Sequence, residues 1–209
     1  MDSTILIVDD SSFIVDGLAA ILKRKGYTTL AAHGGDECIR ILQTVKPDLI
    51  LLDIMMEPMD GWETLGKIKE NSVTKEIPVL MFSAKKITLA EAQEHSMNLD
   101  DFVSKPVSPS QLLDSIQRIF SRRNDVKEEM LVAQSKGIDP VVIDEYSALR
   151  KSVEVDKNLL VVLRSSRGMD IPGRDVPPED VDAIRKLEDK ISTSERRLRE
   201  INELLAKTA

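Results

Sequence analysis

Acidic, hydroxyl and ammonium side chains stand at the ends of short apolar runs in the first half of the sequence. Crowded carboxylates repel one another, and the usual remedy is a hard divalent cation such as Mg²⁺, which prefers oxygen ligands. A carboxylate that is not fully committed to a metal can act as a nucleophile toward a phosphoryl group, and a nearby lysine can neutralise that group. The residues concerned are Asp9, Asp10, Asp53, Ser83 and Lys105.

The apolar runs themselves predict the elements that position these side chains. Residues 5–8, 49–52 and 79–82 are continuous and rich in branched aliphatics, which is typical of strands buried on both faces of a parallel sheet. Residues 28–32 and 102–103 are weaker strand candidates. Five strands alternating with five helices in about 120 residues predict a doubly wound α/β domain. In such a fold ligands lie outside the carboxyl ends of the strands, where the chemical side chains should meet.

Composition excludes several classes of protein. The chain has 209 residues and a net charge of -7, with 42% hydrophobic and 31% charged residues, so we expect a folded protein without a generally DNA-coating or membrane-binding surface. A single cysteine, Cys38, rules out a disulfide framework and a four-cysteine zinc site. Residues 1–4 lack the basic region of a signal peptide, and no apolar run is long enough to span a membrane. We therefore expect a cytoplasmic location.

Residues 1–121 resemble the receiver domain of two-component response regulators. Five pieces carry the resemblance in the family's order and spacing: ILIVDDS at 5–11, LLDIMM at 51–56, MDG at 59–61, FSA at 82–84 and SKP at 104–106. The resemblance implies the flavodoxin or CheY-like form of the doubly wound sheet. It also implies a switch that is phosphorylated by a histidine kinase and is not an enzyme beyond self-phosphorylation from small donors and autodephosphorylation.

The resemblance implies a role for each residue of the site. Asp53 would accept the phosphoryl group. The implied Mg²⁺ ligands are the carboxylates of Asp10 and Asp53, assisted by Asp9, and the backbone carbonyl of Met55. One departure from the family is visible in this loop, since Glu57 stands where a proline is usual and Pro58 follows it.

Three further roles follow from the same resemblance. Ser83 would be the switch hydroxyl, and Phe102 the switch aromatic, without the phenolic group that many receivers have. Lys105 would bind the phosphoryl group, and we expect its bond to Pro106 to be cis.

The sequence changes character after about residue 122. Beyond that point there is no strand-like run, and a Pro- and Gly-rich stretch at 168–178 breaks any helix. On each side of the break, a seam of mostly apolar residues repeats at alternating steps of four and three, which predicts an all-α helical hairpin, an antiparallel coiled coil. We therefore predict a receiver domain at 1–121, a helical extension or linker at 122–138 and the hairpin at 139–209.

The two seams also predict a register. Asp156 and Ser194 are their polar interruptions and would lie in adjacent layers. Because a lone hairpin buries little apolar area, we expect its open side to be covered by a second copy in a homodimer, which we favour, or by the receiver or a target. The facing pairs are Leu163 with Ile184, Leu160 with Leu187, Asp156 with Ile191, Val153 with Ser194, Leu149 with Leu198, Tyr146 with Ile201 and Val142 with Leu205.

These features predict an output through contacts with an unknown protein target. After Arg122 the chain has 16 Lys and Arg against 18 Asp and Glu, a net charge of -2, so we do not expect nucleic-acid binding. The segment has no histidine and so is not a histidine phosphotransfer module. Two alternatives stay open: a DNA-binding transcriptional regulator, and a phosphatase with an aspartyl nucleophile.

Overall fold

The computed structural model describes residues 3–84, 88, 91, 95, 98–167 and 177–207. These residues fall into two compact units. The first comprises the described residues of 1–86 and 97–115, and the second those of 87–96 and 116–209. The predicted domain boundaries at residues 121 and 138 stay predictions.

The first unit is built on a five-stranded parallel sheet with the strand order β2-β1-β3-β4-β5. This is the order of the flavodoxin and CheY-like sheets, so the predicted fold class is confirmed. Every residue of the two strands β3 and β4 is buried, as their continuous aliphatic runs require. The strands are Thr4–Val8 (β1), Thr28–Ala32 (β2), Leu49–Asp53 (β3), Val79–Ser83 (β4) and Asp101–Ser104 (β5).

Six helices are described. The fourth receiver helix, which the sequence predicts between β4 and β5, lies outside the described residues. No helix in the described part of the chain combines the length and the apolar content that a membrane crossing requires. The helices are Ser12–Arg24 (α1), Gly35–Leu42 (α2), Gly61–Glu70 (α3), Pro109–Ser135 (α4), Pro140–Arg167 (α5) and Pro178–Lys207 (α6).

The register of the sheet brings the acidic, hydroxyl and lysine side chains of the predicted site to one edge. Asp53 pairs with Phe82, and Ser83 pairs with Ser104 on the next strand. Backbone hydrogen bonds between the strands continue just beyond the ends of β1 and β5. The amide of Asp9 donates to the carbonyl of Ala32, and the amide of Lys105 donates to the carbonyl of Ser83. The strand ends are therefore aligned to within about one residue.

The start of α3 packs directly on the end of β3. The carboxylate of Asp60 caps the helix by accepting a hydrogen bond from the amide of Glu63 at 2.8 Å. A Cβ added to Gly61 would collide with the backbone carbonyl oxygen of Asp53 and lie 2.7 Å from the Cα of Ile54. Only glycine lets the start of α3 lie this close to the end of β3. Asp60 and Gly61 together therefore fix the position of the Asp53 backbone.

The second unit contains the predicted antiparallel hairpin. Ion pairs join α5 to α6 with residue numbers that rise on one helix as they fall on the other: Glu145 with Arg197 at 2.7 Å, Lys157 with Glu195 at 2.6 Å and Arg164 with Glu188 at 3.3 Å. Tyr146, Val153, Leu198 and Ile201 form a buried cluster of seam residues, against which Val142, Leu149 and Leu205 pack. The hairpin forms within one chain, and its buried cluster of seam residues agrees with the predicted register.

The side of α5 outside the seam is also covered within the single chain. Ile143, Val155 and Leu159 lie outside the seam and are at most 3% exposed. The continuation of α4 contacts α5 through two ion pairs, Arg122 with Glu154 at 2.8 Å and Arg150 with Glu129 at 3.2 Å. A second copy is therefore not needed to bury α5, and the homodimer stays a prediction.

Gly61→Ala should destabilise the first unit by about 1–3 kcal/mol, because the methyl group would meet rigid backbone. Gly66→Ala is the matched control in the same helix. A Cβ there meets nothing within 4 Å, so this change should stabilise by about 0.5–1 kcal/mol. Urea unfolding of both variants measures the difference. Equal effects of the two substitutions would contradict the assigned packing.

A disulfide should form within one chain between cysteines at positions 149 and 198, which face each other in the seam. Leu149→Cys with Leu198→Cys, in a Cys38→Ala background, should run as a fast-migrating monomer on non-reducing electrophoresis. Leu149→Cys alone is the control. Bridging mainly between chains would replace the hairpin with an intermolecular coiled coil.

Candidate functional site

One ammonium group is shared by two buried carboxylates at the carboxyl edge of the sheet. Lys105 Nζ lies 2.8 Å from Asp9 Oδ2 and 3.1 Å from Asp53 Oδ1. The same Nζ stands 4.3 Å from the centre of the Phe82 ring, within cation–π distance. The lysine reaches from β5 across the end of β4 to β3 and β1, so it ties four neighbouring strand ends together.

Three carboxylates converge on this point. One oxygen each of Asp9, Asp10 and Asp53 lie within 4.8 Å of one another. Asp9 and Asp53 are buried, whereas Asp10 is exposed and faces the solvent side of the cluster. Among the described residues, this cluster has three acids and a single ammonium and so carries excess negative charge, which a divalent cation would compensate.

The carboxylate of Asp53 keeps one under-coordinated oxygen. Its Oδ1 accepts no hydrogen bond from the described residues and has only the ion pair with Lys105. Burial raises the pKa of Asp53 above its ordinary value of 3.8, the Lys105 charge opposes this rise, and the Asp9 charge adds to it. An under-coordinated oxygen within a ring of acids fits Mg²⁺, so Asp9, Asp10 and Asp53 are the residues that would hold it.

Asp9 differs from its neighbours in being fully engaged. Its Oδ1 accepts a hydrogen bond from the amide of Ser11 at 2.8 Å, and its Oδ2 accepts one from Lys105. The Ser11 amide belongs to the turn that leads into α1, so Asp9 also fixes the entry of that helix. This leaves Asp53 as the buried acid with an oxygen available for new bonds.

Ser83 and Phe102 occupy the strands beside the acids. Ser83 is fully buried at the end of β4, and Phe102 is 3% exposed on β5. Their roles as switch hydroxyl and switch aromatic stay predictions. The predicted cis bond at Lys105–Pro106 is confirmed.

The loop after Asp53 contains both buried and exposed methionines. Met56 and Met59 are buried, and the side chain of Met55 is exposed. The role of the Met55 carbonyl as a metal ligand stays a prediction. At the departure from the family pattern, the Glu57–Pro58 bond is also cis.

Sequence reasoning missed two contributors to the site. The sequence places Phe82 in the apolar run of β4 without indicating a contact to Lys105, yet its ring lies 4.3 Å from the Lys105 ammonium. Ser11 acts through its backbone amide, which no residue type reveals. Neither role leaves a signal in the spacing of residue types.

Two known families match the chain. Residues 5–117 match the response regulator receiver domain. Residues 122–209 match a family described as Metanogen output domain 2.

Curated relatives and solved structures are also similar to this chain. The alkaline phosphatase synthesis transcriptional regulatory protein PhoP of Bacillus subtilis is 31% identical over 166 residues, which is 75% of this chain and 67% of that protein. The phosphate regulon transcriptional regulatory protein PhoB of Pseudomonas aeruginosa is 34% identical, covering 57% of this chain and 52% of that protein. This chain thus spans about half to two thirds of their length.

Among solved structures, the Vibrio cholerae chemotaxis protein CheY4 is 28% identical with a TM-score of 0.54, covering 57% of this chain and 99% of that one. The strand order, the acids and lysine at the sheet edge and these matches agree with one another. The chain therefore belongs to the response regulators of two-component signalling and carries their receiver domain at residues 5–117.

Proposed function

We propose that this protein is a switch whose state is set by phosphorylation of Asp53 and whose signal leaves through its helical second unit. The observation that carries the proposal is the convergence of three carboxylates on one bridging lysine at the sheet edge. Among the buried acids, Asp53 has the under-coordinated oxygen that a nucleophile needs.

The proposed reaction is a transfer between a phosphohistidine of a kinase and the Asp53 carboxylate. A carboxylate oxygen of Asp53 attacks phosphorus, and the bond from phosphorus to the imidazole nitrogen breaks. The electron pair stays on that nitrogen, which takes up a proton, and an acyl phosphate forms on Asp53. Hydrolysis of the acyl phosphate restores the carboxylate and releases inorganic phosphate.

Neighbouring residues stabilise the charge that arrives with the phosphoryl group. Lys105, already paired with Asp9 and Asp53, would transfer part of its interaction to the phosphoryl oxygens. The Ser83 hydroxyl would donate a hydrogen bond to one of these oxygens. Ser83 would move toward the phosphoryl group to make this bond, and Phe102 on the next strand would fill the space that Ser83 vacates. Phosphorylation would thus shift an existing equilibrium between two conformations.

Mg²⁺ would be held by Asp9, Asp10 and Asp53, with the Met55 carbonyl completing the protein ligands. When bound, it supplies positive charge that offsets the repulsion among the acids and the phosphoryl oxygens. This role is supported by the excess of carboxylates over cations in the cluster.

The proposal makes the chain a phosphoryl acceptor and not an enzyme acting on external substrates. Steady turnover of a small phosphate ester would favour the aspartyl phosphatase alternative instead. The cytoplasmic location stays a prediction.

The output of the second unit has two candidate forms. We favour protein contacts, because the segment after Arg122 has a net charge of -2 and its described elements are helices joined by ion pairs. The names of PhoP and PhoB as transcriptional regulatory proteins favour DNA binding instead, and the expectation that nucleic acid is not a partner finds no support in them.

One experiment separates the two forms of output. The full chain, with and without phosphorylation, is titrated with fragments of genomic DNA over a range of salt concentrations, and in parallel is used to capture proteins. DNA binding that weakens steeply with salt and depends on phosphorylation would establish the regulator. Repeated capture of one particular protein that depends on phosphorylation, without DNA binding, would establish protein contacts.

Asp53→Asn should abolish phosphate incorporation from a small phosphodonor, because an amide is a far weaker nucleophile than a carboxylate. Asp36→Asn is the matched control, since Asp36 is exposed on α2. Asp10→Asn should weaken Mg²⁺ binding at least about tenfold, and a chelator should prevent labelling. Intact protein mass spectrometry measures the acyl phosphate, and full labelling of Asp53→Asn would contradict the assignment.

The raised pKa of Asp53 predicts a pH dependence of stability. The folded protein binds a proton at Asp53 more tightly than the unfolded chain does, so this contribution is present below pH 3.8 and is lost as pH rises through the folded pKa. With a chelator present, lowering the pH through this window should shift the difference in Tm between wild type and Asp53→Asn in favour of wild type. A difference that does not change with pH would contradict the assigned burial effect.

A further inference from the structure

A fully buried carboxylate lies in the otherwise mostly apolar seam of the hairpin. Asp156 has no exposed surface, although it belongs to the seam that Val153 and Leu163 continue on either side. Lys190 Nζ lies 2.8 Å from its Oδ2 and 3.1 Å from its Oδ1, and the hydroxyl of Ser152 donates to Oδ2 at 3.1 Å. The carboxylate in this layer is therefore paired with a cation across the two helices.

The position of Lys190 explains how a charge can be tolerated in the seam. Its side chain is 40% exposed, so the ammonium reaches Asp156 from the solvent edge while the methylene chain covers apolar surface. An apolar side chain at position 156 would avoid the cost of burying a charge altogether. Stability alone therefore does not account for an aspartate in this layer.

The rest of the seam specifies its register only in part. Its apolar residues repeat every seven positions, so a slip of one heptad again brings apolar residues opposite one another in central layers, as at Val142 with Leu198 and Val153 with Leu187. In the slip that shortens the connection between the helices, Ala183 would take the place of Lys190 and leave Asp156 buried without a cation. The same slip would place Leu160 opposite Asp180 and Leu163 opposite a position before the start of α6. In the opposite slip, Ile184 would lie beyond the end of α5 at Arg167 and lose its seam partner.

We propose that Asp156, held by Lys190 and Ser152, is the residue that selects the native register of α5 against α6 over the slip that shortens the connection. Polar groups at single seam positions act in this way in coiled coils, at some cost in stability. The consequence for this protein is that its output unit presents one arrangement of the outer faces of α5 and α6 to a target. The proposal concerns the fold of the second unit and is independent of the chemistry at Asp53.

Two disulfide reporters in the full chain test the proposal. Both use Leu198→Cys in a Cys38→Ala background: Leu149→Cys reports the native register, and Val142→Cys reports the register slipped by one heptad. In the native register, positions 142 and 198 are offset by about 10 Å along the helices, which is too far for a disulfide. Each reporter is combined with Asp156→Leu and separately with Asp156→Leu plus Lys190→Met. Glu195→Gln is the control, because it removes an exposed ion pair between the same helices.

We expect both Asp156 variants to keep their helical content by circular dichroism and to raise the yield of the slipped disulfide at least about fivefold over wild type. The Glu195→Gln control should leave both yields unchanged. The proposal is overturned if the disulfide stays confined to the native reporter in both Asp156 variants. It is also overturned if both variants unfold, because Asp156 would then be needed for stability.

Discussion

The bridge from Lys105 to Asp9 and Asp53 is the interaction on which the receiver site depends. Without this ammonium, two buried carboxylates would face each other with no cation among the described residues to separate them. Two further contacts hold Lys105 in place. Its backbone amide donates to the carbonyl of Ser83, and its ammonium lies over the Phe82 ring. A single lysine thus joins the sheet, the acids and the proposed chemistry.

The parallel sheet makes that bridge possible. Since all five strands run in the same direction, their carboxyl ends meet at one edge, and the fully buried strands β3 and β4 hold Asp53 and Ser83 at fixed height. Gly61 further restricts the position of the Asp53 backbone, because it lets α3 pack directly against the Asp53 carbonyl. The acids and the lysine are thus held at one edge of the sheet, and the excess of carboxylates leaves a negative charge that a divalent cation would compensate.

The second unit uses charge for a different purpose. Its ion pairs between α5 and α6 lie mostly at the surface, where each contributes little to stability. Asp156 and Lys190 are the exception, because the carboxylate is fully buried. The continuation of α4 onto α5 through Arg122 and Glu129 then covers the side of the hairpin for which a second copy had seemed necessary.

The sequence by itself determined the fold class, the acids and lysine of the site, and the helical hairpin. Each of these follows from a periodic pattern or from residues at strand ends, which local chemistry dictates. Tertiary structure decided what periodicity cannot encode. The support of Lys105 by Phe82, the backbone donor from Ser11 and the pairing of Asp156 with Lys190 depend on side-chain direction and on atoms brought together from distant parts of the chain. The coverage of α5 within one chain belongs here too, because burial depends on how neighbouring helices pack and not on the seam alone.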